Sequence, residues 1–272
     1  MSPLSEKRLF LLDMDGTLYL DEELFDGTKD FLNHVKQIGG RYLFLTNNSS
    51  KGVESYVEKM QRLGIDSTAS DFFTSVDATA EYLKNGFQDK LLYVFGTNSF
   101  KKQLRDVGFR VTDQLSDEVD VLLCGFDTEL TFQKLEDACI LLNRGVPFIA
   151  TNPDWVCPTW YGYVPDCGSV CEMLFRATGR RPLVIGKPQP EMALLAMNAC
   201  GIAPEQTILI GDRLYTDIAC GVNAGIDTIL VLSGESTLQT LEESETKPSY
   251  VFENIRQVLT CLENGGNYEA QL

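Results

Sequence analysis

The chain has 272 residues, 44% of them hydrophobic and 23% charged, a balance that supplies enough apolar surface for a substantial globular core. Its formal net charge of −16 argues against nucleic acid as a partner, yet leaves room for a small anion beside a metal ion or a single lysine. No stretch approaches the ~18 uninterrupted apolar residues of a membrane span, and the opening MSPLSEKRLF carries no apolar signal core, so neither export nor membrane insertion is expected.

The first element is the apolar run Leu9–Leu12, which reads as a buried strand and ends in Asp13-Met14-Asp15-Gly16-Thr17. Residues i and i+2 of an extended chain point to the same side, so Asp13 and Asp15 can address one ligand at the strand's carboxyl end. Gly16 permits a tight turn there and Thr17 offers a hydroxyl. An Asx-turn or a helix cap accounts for one of these aspartates, not for both. A helix over Thr28–Gln37 follows, and its polar pattern carries His34, the chain's single histidine. Mechanisms that need a histidine therefore start at a disadvantage. The strand Tyr42–Leu45 then runs into Thr46, Asn47 and Asn48, whose hydroxyl, amide and backbone N–H groups suit an oxyanion. A helix over Lys51–Leu63 completes this part.

From about Gly86 to Arg181 the chain has an alternation of its own, with strands at Leu91–Phe95, Val121–Cys124 and Phe148–Ala150. Polar stretches, LKNGFQDK and ATGRRP, bound it. It reads as a smaller α/β domain, residues 86–181, inserted into the first; one continuous sheet is the alternative. After its apolar run VPFIA comes Thr151-Asn152-Pro153-Asp154, which is either an ordinary turn or a segment bringing Asn152 and Asp154 to a substrate. Trp155, Trp160, Tyr161 and Tyr163 fit a platform for a ring and fit plain core equally well. Cys167 and Cys171 lie one helical turn apart, with no second pair or histidine to complete a zinc set. The eight cysteines read as reduced small hydrophobes in a cytoplasmic protein.

The remainder resumes the first pattern, with strands Leu183–Ile185, Thr207–Ile210 and Thr228–Leu232 and a last one near Tyr250–Phe252. Helices at Glu191–Ala199 and Thr216–Asn223, and one from Asn254, lie between and after them. LVIGKPQP places Lys187 on a Gly-Pro-bounded turn, and TILIGDRLYTD ends a strand in Gly211-Asp212 with Asp217 on the following turn. Such alternation predicts an α/β fold, a Rossmann-like doubly wound parallel-sheet core over residues 1–85 and 182–272. Reactive groups of such folds gather beyond the carboxyl ends of the strands.

Asp13-Met14-Asp15-Gly16-Thr17, Thr46-Asn47-Asn48, Lys187 and Gly211-Asp212 with Asp217 match the motifs of the haloacid-dehalogenase-like hydrolase superfamily. The segment 86–181, with GFDTELTFQKL and ATNPDWVCPTWYGYVPDCGSV, resembles the cap of its NagD-like phosphatases, the branch that includes p-nitrophenyl phosphate phosphatases. The resemblance implies a phosphatase for small phosphomonoesters (nucleotide, sugar or cofactor phosphates) working through an aspartyl-phosphate. Asp13 would be the nucleophile and Asp15 the acid and base, while Lys187 would neutralise charge. Thr46, Asn47 and Asn48 would bind the phosphoryl group. An anionic nucleophile meets roughly 4 kcal/mol of repulsion from each phosphate charge at about 4 Å and an effective dielectric of 20, which calls for a hard cation. The family's is Mg²⁺, held by Asp13, the backbone carbonyl of Asp15, and Asp212, with Asp217 orienting the set. Aspartate at position 15 separates the chain from dehalogenases, whose departing halide needs no proton. A non-catalytic regulatory protein on this fold and a phosphotransferase of the superfamily are the alternatives, and homo-oligomers are left open.

Overall fold

A computed structural model describes residues 3–159 and 161–266, and they form two compact units. The first comprises the described residues up to Thr46, Val57–Phe73, and those from Lys187 on; the second comprises Asn47–Tyr56 and Thr74–Gly186.

The first unit is built on a six-stranded sheet in the order Tyr250–Phe252, Asp227–Val231, Thr207–Gly211, Leu9–Leu12, Arg41–Thr46, Phe72–Thr74. Leu9–Leu12 pairs in parallel with Thr207–Gly211 on one side and Arg41–Thr46 on the other. All four of its residues are buried, which is why the run is apolar without alternation. The helix Thr28–Gln37 buries Phe31, Leu32 and Val35, and Phe31 meets Phe10 edge-on at 5.8 Å. The strand order reverses between Leu9–Leu12 and Thr207–Gly211, the switch point of a Rossmann-like sheet, where two carboxyl ends open side by side. Asp13 follows one of these ends directly and Asp212 the other.

The second unit has its own five-stranded parallel sheet, in the order Leu183–Val184, Phe148–Ala150, Val121–Cys124, Leu91–Phe95, Arg110–Thr112. The expected strand at Leu183 is therefore a correction to its placement: it pairs with Phe148–Ala150 here, not in the first unit's sheet. With only two residues, it carries no pattern that could have assigned it. Threonine caps open the helices: Thr97 accepts from the Phe100 N–H before Asn98–Asp106, and Thr131 from Lys134 before Phe132–Arg144. Gly145 and Gly179 close the helices Phe132–Arg144 and Cys167–Thr178 in the left-handed conformation. A two-stranded hairpin, Val156–Thr159 with Gly162–Pro165, projects Tyr163 into solvent. The sheet's own switch point, at Leu91–Phe95 and Val121–Cys124, is filled by the chain itself. The Thr97 hydroxyl donates to the Ser50 carbonyl, and the Phe126 N–H donates to the Ser49 hydroxyl.

Candidate active site

Lys187 sits at the centre of the first unit's cluster. Its side chain is 2% exposed, and its ammonium lies 2.6 Å from a carboxylate oxygen of Asp13 and 2.6 Å from one of Asp217. A third donation goes to the Leu45 carbonyl at 3.3 Å. Burial alone would depress this lysine, but the charges of Asp13 and Asp217 outweigh it and hold the ammonium above its ordinary value. Carboxylate oxygens of Asp13, Asp212 and Asp217 lie within 4.8 Å of one another. Burial pushes Asp13 well above the usual carboxylate range, Asp217 adds to the rise, and Lys187 opposes it. Asp212 is pushed up to about 7 by burial and by Asp217, although the Glu235 N–H donates to it at 2.7 Å.

Two glycines make room for this crowd. Gly16 has φ +86°, and a Cβ there would lie 2.6 Å from Asp212 Oδ2. A Cβ on Gly211 would collide with the side chain of Asp217. Asp217 itself lies in the π-helical turn Leu214–Ile218, where the helix Thr216–Asn223 was expected to begin. Its second oxygen accepts from the Arg213 N–H at 3.0 Å, so both of its oxygens are engaged.

Asp15 lies outside this knot. Its side chain is 45% exposed, and it takes the Tyr19 hydroxyl at 3.3 Å and the Lys59 ammonium at 3.6 Å. Surrounding protein displaces enough water to raise its carboxyl, while Lys59 and Tyr19 pull it down. Lys59 also stands 3.8 Å over the Tyr19 ring. Neither residue is identifiable in the sequence, since Lys59 reads as one more charge on a helix face and Tyr19 as one more aromatic.

Thr46 is buried at the end of its strand, and the chain passes into the second unit at Asn47. There the Asn47 amide donates to Asp154 at 3.4 Å, and Asn48 folds its side-chain oxygen onto the N–H and hydroxyl of Ser50. Asn152 is fully buried; its amide donates to Asp154 at 3.2 Å and to Asp166 at 3.1 Å, and its oxygen accepts from Thr151. Burial and the neighbouring Asp154 push Asp166 up to about 7. Trp155, Tyr161 and Tyr163 are exposed rather than core, and Trp160 lies outside the described residues.

Residues 10–110 match the haloacid dehalogenase-like hydrolase family, and residues 184–258 match a HAD-hydrolase-like family. An acid sugar phosphatase of Staphylococcus haemolyticus is 33% identical over 254 residues, 93% of this chain and 96% of that protein. The chain belongs to the haloacid dehalogenase-like hydrolases. Among solved structures, a 4-nitrophenylphosphatase from Thermotoga maritima superposes with a TM-score of 0.90 at 40% identity, covering 95% of this chain and 98% of that one. A glycerol phosphate phosphatase from Mycobacterium tuberculosis, in complex with magnesium, gives 0.87 at 28% identity, covering 94% and 78%. This haloacid dehalogenase-like chain is thus a phosphatase of the NagD-like branch.

The carboxylate cluster of this phosphatase fits a hard divalent cation. Its donors are oxygens only, they converge within 4.8 Å, and Asp13 and Asp212 are both raised by burial and by a like-charged neighbour that a cation would offset. Among the described residues no helix is long and apolar enough to cross a membrane.

Proposed function

We propose that this phosphatase hydrolyses small phosphomonoesters through an aspartyl-phosphate on Asp13, with Mg²⁺ as its cofactor. The observation that carries the reading is Lys187 Nζ, 2.6 Å from both Asp13 and Asp217 and set beside Asp212. A free carboxylate oxygen of Asp13 attacks phosphorus, and the ester's P–O bond breaks as Asp15 gives its proton to the departing oxygen. The raised carboxyl of Asp15 suits a group that must hold that proton. Asp15 then takes a proton from water, which attacks phosphorus, breaks the bond to Asp13 and releases phosphate. Lys187 keeps Asp13 ionised and offsets phosphoryl charge. Asp217, with both oxygens engaged, fixes Lys187 in place.

Asp13, Asp212 and the backbone carbonyl of Asp15 would hold Mg²⁺, with Asp217 orienting the set. The ion supplies Lewis-acid neutralisation of charge between nucleophile and phosphoryl group. Thr46, Asn47 and Asn48 are proposed to bind the phosphoryl oxygens, and Asn152 and Asp154 to bear on substrate choice. The relatives' substrates, by their names, are sugar phosphate, 4-nitrophenyl phosphate and glycerol phosphate, so the shared class is the small phosphomonoester.

The test combines a panel of phosphorylated metabolites, with Mg²⁺ or EDTA, and an acid quench of enzyme turning over ³²P-labelled 4-nitrophenyl phosphate. Label is expected on the peptide carrying Asp13. It should be absent from Asp13→Asn, together with all turnover. Full activity after exhaustive chelation, or label elsewhere, would overturn the mechanism.

A further inference from the structure

Cys167 and Cys171, one turn apart on the helix Cys167–Thr178, are joined in the second unit by a third cysteine that the sequence gives no reason to associate with them. Cys124 ends the strand Val121–Cys124, and the parallel sheet sets that end against the start of this helix. The Cys167 sulfur lies 3.9 Å from the Cys124 sulfur and 3.9 Å from the Cys171 sulfur, and all three lie within 4.8 Å of one another. All three are free thiols and all are buried. We propose that they form a three-coordinate, all-sulfur site for a soft metal ion of the cuprous class.

The geometry selects the ion. A thiolate–metal bond of about 2.3 Å puts the three sulfurs of a trigonal site about 4.0 Å apart, close to the two spacings of 3.9 Å. Only a small inward movement of the third pair is needed. Zinc requires a fourth ligand, and among the described residues no fourth cysteine, histidine or carboxylate joins this group. A cuprous ion accepts three soft donors and tolerates their apolar surroundings, which include Leu122, Ala150, Val170 and Leu174. One further feature suits a thiolate site. The Cys167 sulfur stands in the first turn of a twelve-residue helix, where the backbone favours negative charge.

An entry path exists as well. Cys171 lines a pocket of about 210 Å³ together with Asn152, Trp155, Gly168 and Arg181, and Trp155 is half exposed at its edge. On binding, the ion forms one bond to each sulfur, and each thiol releases its proton to water. No electron moves. The hard-cation cluster of the first unit offers oxygen alone, so the chain would carry two sites of opposite softness.

The test uses the full chain, reduced and held without oxygen, titrated with Cu⁺ against a chromophoric Cu⁺ chelator, with Zn²⁺ and Mg²⁺ in parallel. One Cu⁺ per chain should be withheld from the chelator, and neither other ion should displace it. X-ray absorption of the loaded wild-type protein should give three sulfur neighbours near about 2.3 Å. Cys171→Ala should weaken retention at least about 100-fold, whereas Cys139→Ala, which packs on the same core outside the trio, should not. Melting curves of both variants show whether they are folded, and the wild-type absorption spectrum stands even if one is not. Loss of all Cu⁺ to the chelator, a fourth oxygen or nitrogen neighbour, or equal displacement by Zn²⁺ would overturn the assignment. In that case the trio is plain core.

Discussion

Removing the ammonium of Lys187 would leave Asp13 and Asp217, each 2.6 Å from its nitrogen, facing one another without a counter-charge. Losing one partner of a buried pair costs about 3–5 kcal/mol, because the remaining charge stays desolvated. Lys187→Met should therefore lower stability by that order in EDTA, and by less with Mg²⁺ present. Turnover should fall at least about 100-fold even with the ion, since the charge that keeps Asp13 ionised is gone. Thermal melting and single-turnover rates check both halves. Asn152 offers a contrasting case. Its amide bridges the carboxylates of Asp154 and Asp166, so Asn152→Ala should cost about 1–3 kcal/mol through the two charge-assisted hydrogen bonds lost. If the loop also selects substrate, relative kcat/KM across phosphomonoesters will shift. A uniform fall with a lower Tm would mark it as structural.

Elements differ in how much their residues reveal. Leu9–Leu12, Leu91–Phe95 and Val121–Cys124 take the bounds their apolar runs predict, because burial on both faces leaves no competing pattern. Asp13 and Asp212 were legible for a related reason: each directly follows a strand of the first unit's sheet, and strand ends are where such sheets concentrate chemistry. Lys187 stood out only by its Gly-Pro-bounded turn, because the strand before it, Leu183–Val184, belongs to the second unit's sheet. Lys59 beside Asp15, and Cys124 beside Cys167, were not, because their partners are distant in sequence and only the tertiary fold brings them near. The same holds for Lys101. It lies on the helix Asn98–Asp106 with its side chain 4% exposed, and its nitrogen is 2.9 Å from Asp113, just past the strand Arg110–Thr112. Hydrogen bonds from Lys101 and then Gln114 hold the Asp113 carboxyl below its ordinary value. A depressed carboxyl contributes stability above its unfolded value of about 3.9, and that contribution is lost as pH falls through the lower native value. Asp113→Asn should cost about 1 kcal/mol near pH 7, a modest figure because Asp113 is itself 43% exposed. The gap between variant and wild type should close in acid, below the native carboxyl's titration. Denaturant melts at several pH values would show it, and a gap independent of pH would refute the pairing argument.

At the scale of the whole chain, a net charge of −16 and a convergent triad of carboxylates, two of them buried, place two different demands on cations. The surface charge is diffuse, so any salt screens it and should raise Tm without regard to the identity of the ion. The triad is local, and only an ion that binds the folded site can contribute there, by RT ln(1 + [L]/Kd), which is about 2.7 kcal/mol at a hundredfold excess over Kd. Mg²⁺ should therefore raise Tm beyond NaCl of equal ionic strength. That excess should grow with the logarithm of Mg²⁺ concentration, while the NaCl effect levels off. Asp212→Asn separates the two contributions. It removes a charge that burial and Asp217 push up to about 7, so the variant without metal should melt no lower than wild type and can melt higher. It should keep the NaCl response, because one charge barely alters the total. It should lose the Mg²⁺ increment, because the remaining oxygens of Asp217 are engaged by Lys187 and Arg213 and cannot replace the missing ligand. An undiminished Mg²⁺ increment in this variant would mean that the ion acts on the surface, and the assignment of the triad as its site would fall.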